Sequence, residues 1–142
     1  MSPEVAVFQR MQAIVPTGRF YQLKAPQQET SLHAVVQLVD DPEVNQHMRG
    51  GSIAGVARVQ ISFYRPEAAG VDPYDTAATL AEQVHGDHAG SGLCGFQGHI
   101  GGSPGGMFIT GIRHAGRRAL YEPNELREVG IQEDYFVHYR HL

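Results

Sequence analysis

The chain has 142 residues, which reads as a single domain over 1–142, long enough to bury a core without staples. Eleven Lys and Arg against 15 Asp and Glu give a formal charge of −4, so the basic stripe that holds duplex DNA by its phosphates is missing. Hydrophobic residues at 42% and charged residues at 18% exclude a disordered tail, and no apolar run approaches the roughly 18 residues of a membrane-crossing helix.

Met1-Ser2-Pro3-Glu4 has neither the basic nor the apolar region of a signal peptide, so an intracellularly made domain is expected. Ser2-Pro3-Glu4 reads as a helix start: a hydroxyl cap, Pro at the first helical position, an early acid. Val5, Phe8, Met11 and Val15 recur at helical spacing until Pro16 and Gly18 end the pattern. Phe20–Leu23 is a short extended piece, and Leu32–Val39 is a strand candidate rich in Val and Leu. Asp40–Gly51 is polar, full of turn residues and longer than a tight hairpin needs, which marks it as a candidate functional loop.

From Ile53 to Tyr64 apolar and polar residues alternate. Ile53, Gly55, Ala57, Val59, Ile61 and Phe63 share one side, and Arg58, Gln60, Ser62 and Tyr64 the other, as in a half-exposed antiparallel strand. Asp72-Pro73 starts a second helix whose apolar face is read as Tyr74, Ala77, Ala78, Ala81 and Val84. Met107–Ile112 and Ala119–Tyr121 read as strand pieces. Ile131–Arg140 closes the chain as a strand with Tyr135, Val137 and Tyr139 on one face. The fold class is therefore α+β: a mainly antiparallel sheet with two helices packed on one face.

Between the second helix and the later strands lies a glycine-dense stretch: eleven of the 17 glycines fall from Gly86 to Gly116. It contains Gly90-Ser91-Gly92-Leu93-Cys94-Gly95, a literal G-x-G-x-x-G, but the run follows a helix and leads to strands. A dinucleotide loop needs the reverse, because the phosphate sits on a helix N-terminus. The glycines are read instead as a helix exit and a mobile or tightly turning connection between strands, with part of Gly98–Gly106 an exposed loop that orders or tightens against a neighbouring subunit. Cys94, the only cysteine, cannot form an internal disulfide and reads as a small hydrophobe.

His85-Gly86-Asp87-His88 offers three metal-ligand types close together. Gly86 ends the helix, so the preorganised i, i+4 geometry is absent, and with no companion cysteine solvated histidines are the plainer reading. No serine sits in a G-x-S-x-G elbow, and no nucleophile, base and acid can be assembled from spacing alone. The residues point to no catalytic set, no cofactor and no bound metal, and the expectation is a protein that is not an enzyme. A metal- or ligand-binding enzyme using His85, Asp87 and His88 stands as the alternative from a different class.

An ordered set of elements resembles the tail-completion (tail-terminator) proteins of long-tailed double-stranded DNA phages. An amphipathic N-terminal helix leads to Phe20-Tyr21-Gln22-Leu23-Lys24-Ala25-Pro26-Gln27, similar to that family's tyrosine-then-Ala-Pro-Gln element. The Val-rich strand Ala34–Asp40 follows, then Ala57–Tyr64 with an Arg-Val-Gln core, the helix Tyr74–Val84, and the closing strand Asp134–Tyr139. The resemblance implies a structural virion protein of the tail and neck, assembled in the host cytoplasm. It would form a ring, hexameric in the family, that caps the tail tube and joins it to the head-side connector. The implied partners are a second copy of the chain, the tail-tube protein, the connector or stopper, and a sheath protein if the tail contracts. DNA would only pass through the lumen, and no membrane is involved. A head-completion stopper is the nearer alternative. The implied contact residues are Asp41, Glu43, Arg49, Arg58 and Arg65, each of which an ordinary solvated surface also supplies.

Overall fold

The computed structural model describes residues 2–26, 29–40, 54–67, 70, 72–101, 106–122 and 128–141. In chain order the elements are α1 (Pro3–Ile14), β1 (Phe20–Gln22), β2 (His33–Asp40), β3 (Ala54–Pro66), α2 (Pro73–His85), β4 (Gly98–Ile100), β5 (Met107–Glu122) and β6 (Glu128–His141). The strands form one six-stranded sheet in the order β1-β2-β3-β6-β5-β4. Every pairing is antiparallel except the short β1–β2 ladder. The expected α+β class is what the structure has.

Side chains alternate across each strand, and the sheet buries one face under both helices. Ala57, Val59, Ile61 and Phe63 of β3 meet Tyr135, Val137 and Tyr139 of β6, with Ala34 and Val36 of β2 and Met107, Ile109 and Ile112 of β5 beside them. Ala6, Val7 and Met11 of α1 and Ala77, Leu80, Ala81 and Val84 of α2 close the core from above. The alanines let the backbone of α2 come close to the sheet, and Leu80 supplies bulk.

Both helix faces are rotated from the sequence reading. In α1 the buried stripe is Pro3, Ala6, Val7 and Met11, not one through Val5. In α2 the stripe includes Leu80 and His85, while Tyr74 is 43% exposed. Tyr74 and His85 stand only about 20° apart round the helix, so position along α2 separates them: Tyr74 is in the first turn, and His85 ends the helix against the Tyr135 hydroxyl. The two caps differ as well. Asp72 accepts from the Tyr74 and Asp75 amides at 3.0 and 3.3 Å, whereas the Ser2 hydroxyl makes no capping bond.

The two pieces read at Met107–Ile112 and Ala119–Tyr121 are one strand, β5. Its register against β6 shifts between Ile109 and Gly111 and again between His114 and Gly116. Each shift inserts one unpaired residue, which reverses the alternation downstream and hides a continuous strand from a period-two reading. The bulges keep Ile109, Ile112, His114 and Arg117 all on the helix-covered side.

Candidate functional site

Two groups of polar residues stand out, one on each face of the sheet. The first lies under α2. Glu133 of β6 is fully buried, and its carboxylate is paired with Arg117 of β5 and lies 2.5 Å from Nε2 of His114. Arg117 reaches outward to Glu82 of α2 at 2.6 Å, so one guanidinium ties helix to sheet across a buried carboxylate. The charge-assisted bond to Arg117 holds Glu82 below the usual carboxylate range. His85, the last residue of α2, sits in the same layer, with Nδ1 2.8 Å from the Tyr135 hydroxyl. Burial pushes the His85 imidazole below its ordinary value, and the neighbouring His88 and His114 push the same way. Burial likewise raises Tyr135, which stays a protonated phenol.

The chain then turns back on itself. Gly86 takes φ +80° as the C-cap of α2, and Leu93 and Cys94 donate to the carbonyls of Val84 and His85 at 2.8 and 3.1 Å. These bonds satisfy carbonyls that a helix C-terminus leaves orphaned. The crossing needs glycine: a Cβ on Gly92 would lie 2.5 Å from the Val84 carbonyl oxygen, and one on Gly95 2.3 Å from that of His88. Arg10 of α1 pins the loop from outside, donating to the Gly90 carbonyl at 3.0 Å and stacking over Phe96 at 4.2 Å. Of the expected helix exit and mobile or tightly turning connection, the stretch from Gly86 to Gly95 is thus the tight turn. Further on, Gly98–Ile100 forms β4 and Ile100 joins the core. Of the rest of the expected exposed loop, Gly101 is exposed and Gly106 buried, and residues 102–105 lie outside the described residues.

This turn rearranges the histidine reading. His88, at φ +65°, folds back so that its Nδ1 lies 3.3 Å from Nε2 of His85 and 3.4 Å from Sγ of Cys94. Asp87, the third ligand of the alternative metal reading, instead accepts from the Ala89 and Ser91 amides at 2.9 and 3.3 Å. Those amides hold its carboxyl below the usual range, and Ser91 adds to the effect. Its role is to shape the turn. The companion cysteine that spacing could not supply is Cys94, nine residues beyond His85 and brought in by backbone pairing. No short-range sequence signal marks it.

The second group lies on the sheet face that neither helix covers. Arg58 of β3 pairs with Asp134 of β6 at 2.6 Å, and that neighbour holds the guanidinium firmly charged. Arg118 bonds Gln132. Arg113 stacks over Phe136 at 4.3 Å and Arg140 over Phe108 at 4.7 Å. Each such exposed stack is worth about 0.5–1 kcal/mol. Beside the arginines runs a trough of about 500 Å³, lined in part by Leu23, His33, Gln60, Tyr64 and Gln132. On an acidic chain this face is locally basic and aromatic.

Of the five expected contact residues, Asp41, Glu43 and Arg49 lie outside the described residues. Arg58 stands on the open face. Arg65, seven residues along the same strand, is half-buried on the opposite side, as period two requires. The two arginines do not form one patch.

The sheet margins are uneven. Among the described residues, β4 pairs with β5 only at Met107–Ile109, which leaves Arg113–Glu122 of β5 without a strand on its outer side. Tyr121 on that margin is 58% exposed. At the other margin β1 reaches only Val36 of β2, and Leu38 and Val39 are 40% and 46% exposed beyond it. Long open edges are templates for pairing with another chain.

No family model and no curated protein matches this sequence. A solved structure does match: a chain from the virion of a native gene transfer agent particle aligns with a TM-score of 0.56 over 98% of this chain and 95% of its own, at 16% identity. The two share a fold. The alignment is end to end, so it takes in both helices and the whole sheet rather than a common substructure.

Proposed function

We propose that this chain is a structural, non-enzymatic virion subunit: a tail terminator that assembles through its sheet margins into a ring, capping the tail tube and joining it to the head-side connector. The observation that carries the reading is the end-to-end fold likeness to a chain of a virion particle, which adds to the ordered motifs that resemble tail-completion proteins. The surfaces support it. The two sheet margins are different surfaces, so a contact between them is heterologous, and a heterologous contact closes into a ring when its rotation allows. Six copies is the number the family resemblance implies. The open-face arginines would trap phosphates if they lined a DNA channel. In this arrangement they face a protein neighbour, and the acidic remainder of the chain lines the lumen.

Light scattering and negative-stain imaging of the purified chain, alone and with tail-tube protein, test the proposal. Ring-sized particles are expected, alone or on adding tubes. Tyr121→Asp, which puts a charge on the open margin of β5, should abolish rings while leaving the circular dichroism and melting temperature of the subunit unchanged. A chain that stays monomeric with tubes present overturns the proposal. Rings that bind the connector and ignore tubes would reassign the chain as a stopper.

A further inference from the structure

The proposed function makes no use of the cluster at the end of α2, and its geometry is that of a cation site. We propose that His85 Nε2, His88 Nδ1 and Cys94 Sγ bind one zinc-class divalent cation, stapling the glycine turn to the end of α2.

The spacing carries the argument. Tetrahedral zinc with Zn–N near 2.05 Å and Zn–S near 2.3 Å places two nitrogen ligands about 3.3 Å apart and a nitrogen and a sulfur about 3.5 Å apart. His85 Nε2 to His88 Nδ1 is 3.3 Å and His88 Nδ1 to Cys94 Sγ is 3.4 Å. All three donor atoms lie within 4.8 Å of one another. A second trio, His85, His114 and Glu133, is equally close-knit, but its His114–Glu133 contact of 2.5 Å is too short for the edge of a coordination tetrahedron. Its carboxylate is also already neutralised by Arg117. The first trio is therefore the site.

The surroundings fit. Metal-binding imidazoles use their second nitrogen to hold an orienting partner, and His85 Nδ1 is 2.8 Å from the buried Tyr135 hydroxyl. His85 and Cys94 are 5% and 9% exposed, whereas His88 is exposed and gives an entry path. The left-handed backbone of His88, rare for a residue with a side chain, is what aims its ring at the other two. Among the described residues no fourth His, Cys, Asp or Glu joins the trio. A borderline-soft cation suits two imidazoles and a thiolate, whereas magnesium and calcium prefer oxygen.

The test uses the full chain without a histidine tag, stripped with chelator and titrated with Zn(II) and Co(II). One ion per chain is expected, with a thiolate-to-Co(II) charge-transfer band and the intense visible bands of a tetrahedral site, and a melting temperature that rises on binding. His88→Ala changes an exposed side chain and should abolish binding with circular dichroism unchanged. Cys94→Ser should remove the charge-transfer band. Tyr135→Phe should weaken affinity 10–100-fold, as loss of an orienting partner does. His114→Gln should bind normally. No uptake by the folded chain overturns the proposal, and so does uptake that survives both His88→Ala and Cys94→Ser or that is lost in His114→Gln. None of these outcomes depends on ring assembly, so the two proposals fail separately.

Discussion

The two faces of this sheet are built from the same strands, one residue apart, and use charge in opposite ways. On the helix-covered face Glu133 is sealed from water, and Arg117, His114 and Glu82 are arranged around it. On the open face Arg58, Arg113, Arg118 and Arg140 keep their heads in solvent, leaning on a carboxylate, an amide or an aromatic ring. A buried carboxylate needs its partners to offset lost hydration. An exposed arginine needs nothing and remains free to meet another surface. The covered face is where a substitution costs stability, and the open face is where it costs contact.

The largest expected effect contrasts neighbours on β3. Phe63→Ala empties a fully buried site and should cost about 3–5 kcal/mol in urea unfolding. Gln60→Ala, on the other face, should stay within about 0.5 kcal/mol. Equal costs would show that the open face is covered in the free subunit. Next comes a pair of arginines. Arg117→Met strands the Glu133 carboxylate and should cost roughly 3 kcal/mol, read as a melting temperature lower by about 10 °C. Arg58→Met should leave the melting temperature where it is, since its ion pair with Asp134 is exposed. A large drop for Arg58→Met would erase the distinction between the two faces.

The smallest effect is in acid. Glu29, on the open side of β1, is held below its ordinary value of 4.5, first by the Tyr21 hydroxyl, with the Ser31 amide and Arg19 adding to it against burial. Glu82 is held below 4.5 mainly by Arg117. For both, the unfolded chain takes up its proton first as pH falls. Their contributions are complete above pH 4.5 and are lost as pH drops through the folded values. Urea midpoints at pH 5.5 and 3.5 should differ by less in Glu29→Gln than in the parent. They should differ by less again in the double variant with Glu82→Gln, and an unchanged difference would remove these two groups from the acid response.

Much of this architecture could be read along the chain. Alternation from Gly55 to Phe63 and from Tyr135 to Tyr139 determined which residues face the helices, because a strand's period is local. The Asp72-Pro73 start determined where α2 begins, because a cap acts over three residues. Composition and the Gly86–Gly116 cluster marked where the chain must bend. The tertiary structure decided what local pattern could not carry. It joined two strand pieces through bulges whose extra residues reverse the alternation. It chose His85 over Tyr74 for the buried face, because the sheet beneath α2 offers His85 the Tyr135 hydroxyl. It made the turning glycines a close crossing of backbones, and that crossing sets Cys94 beside His88. Contacts between residues near in sequence follow from backbone geometry alone, whereas the pairing of Glu133 with Arg117 and the open margins depend on which strands become neighbours.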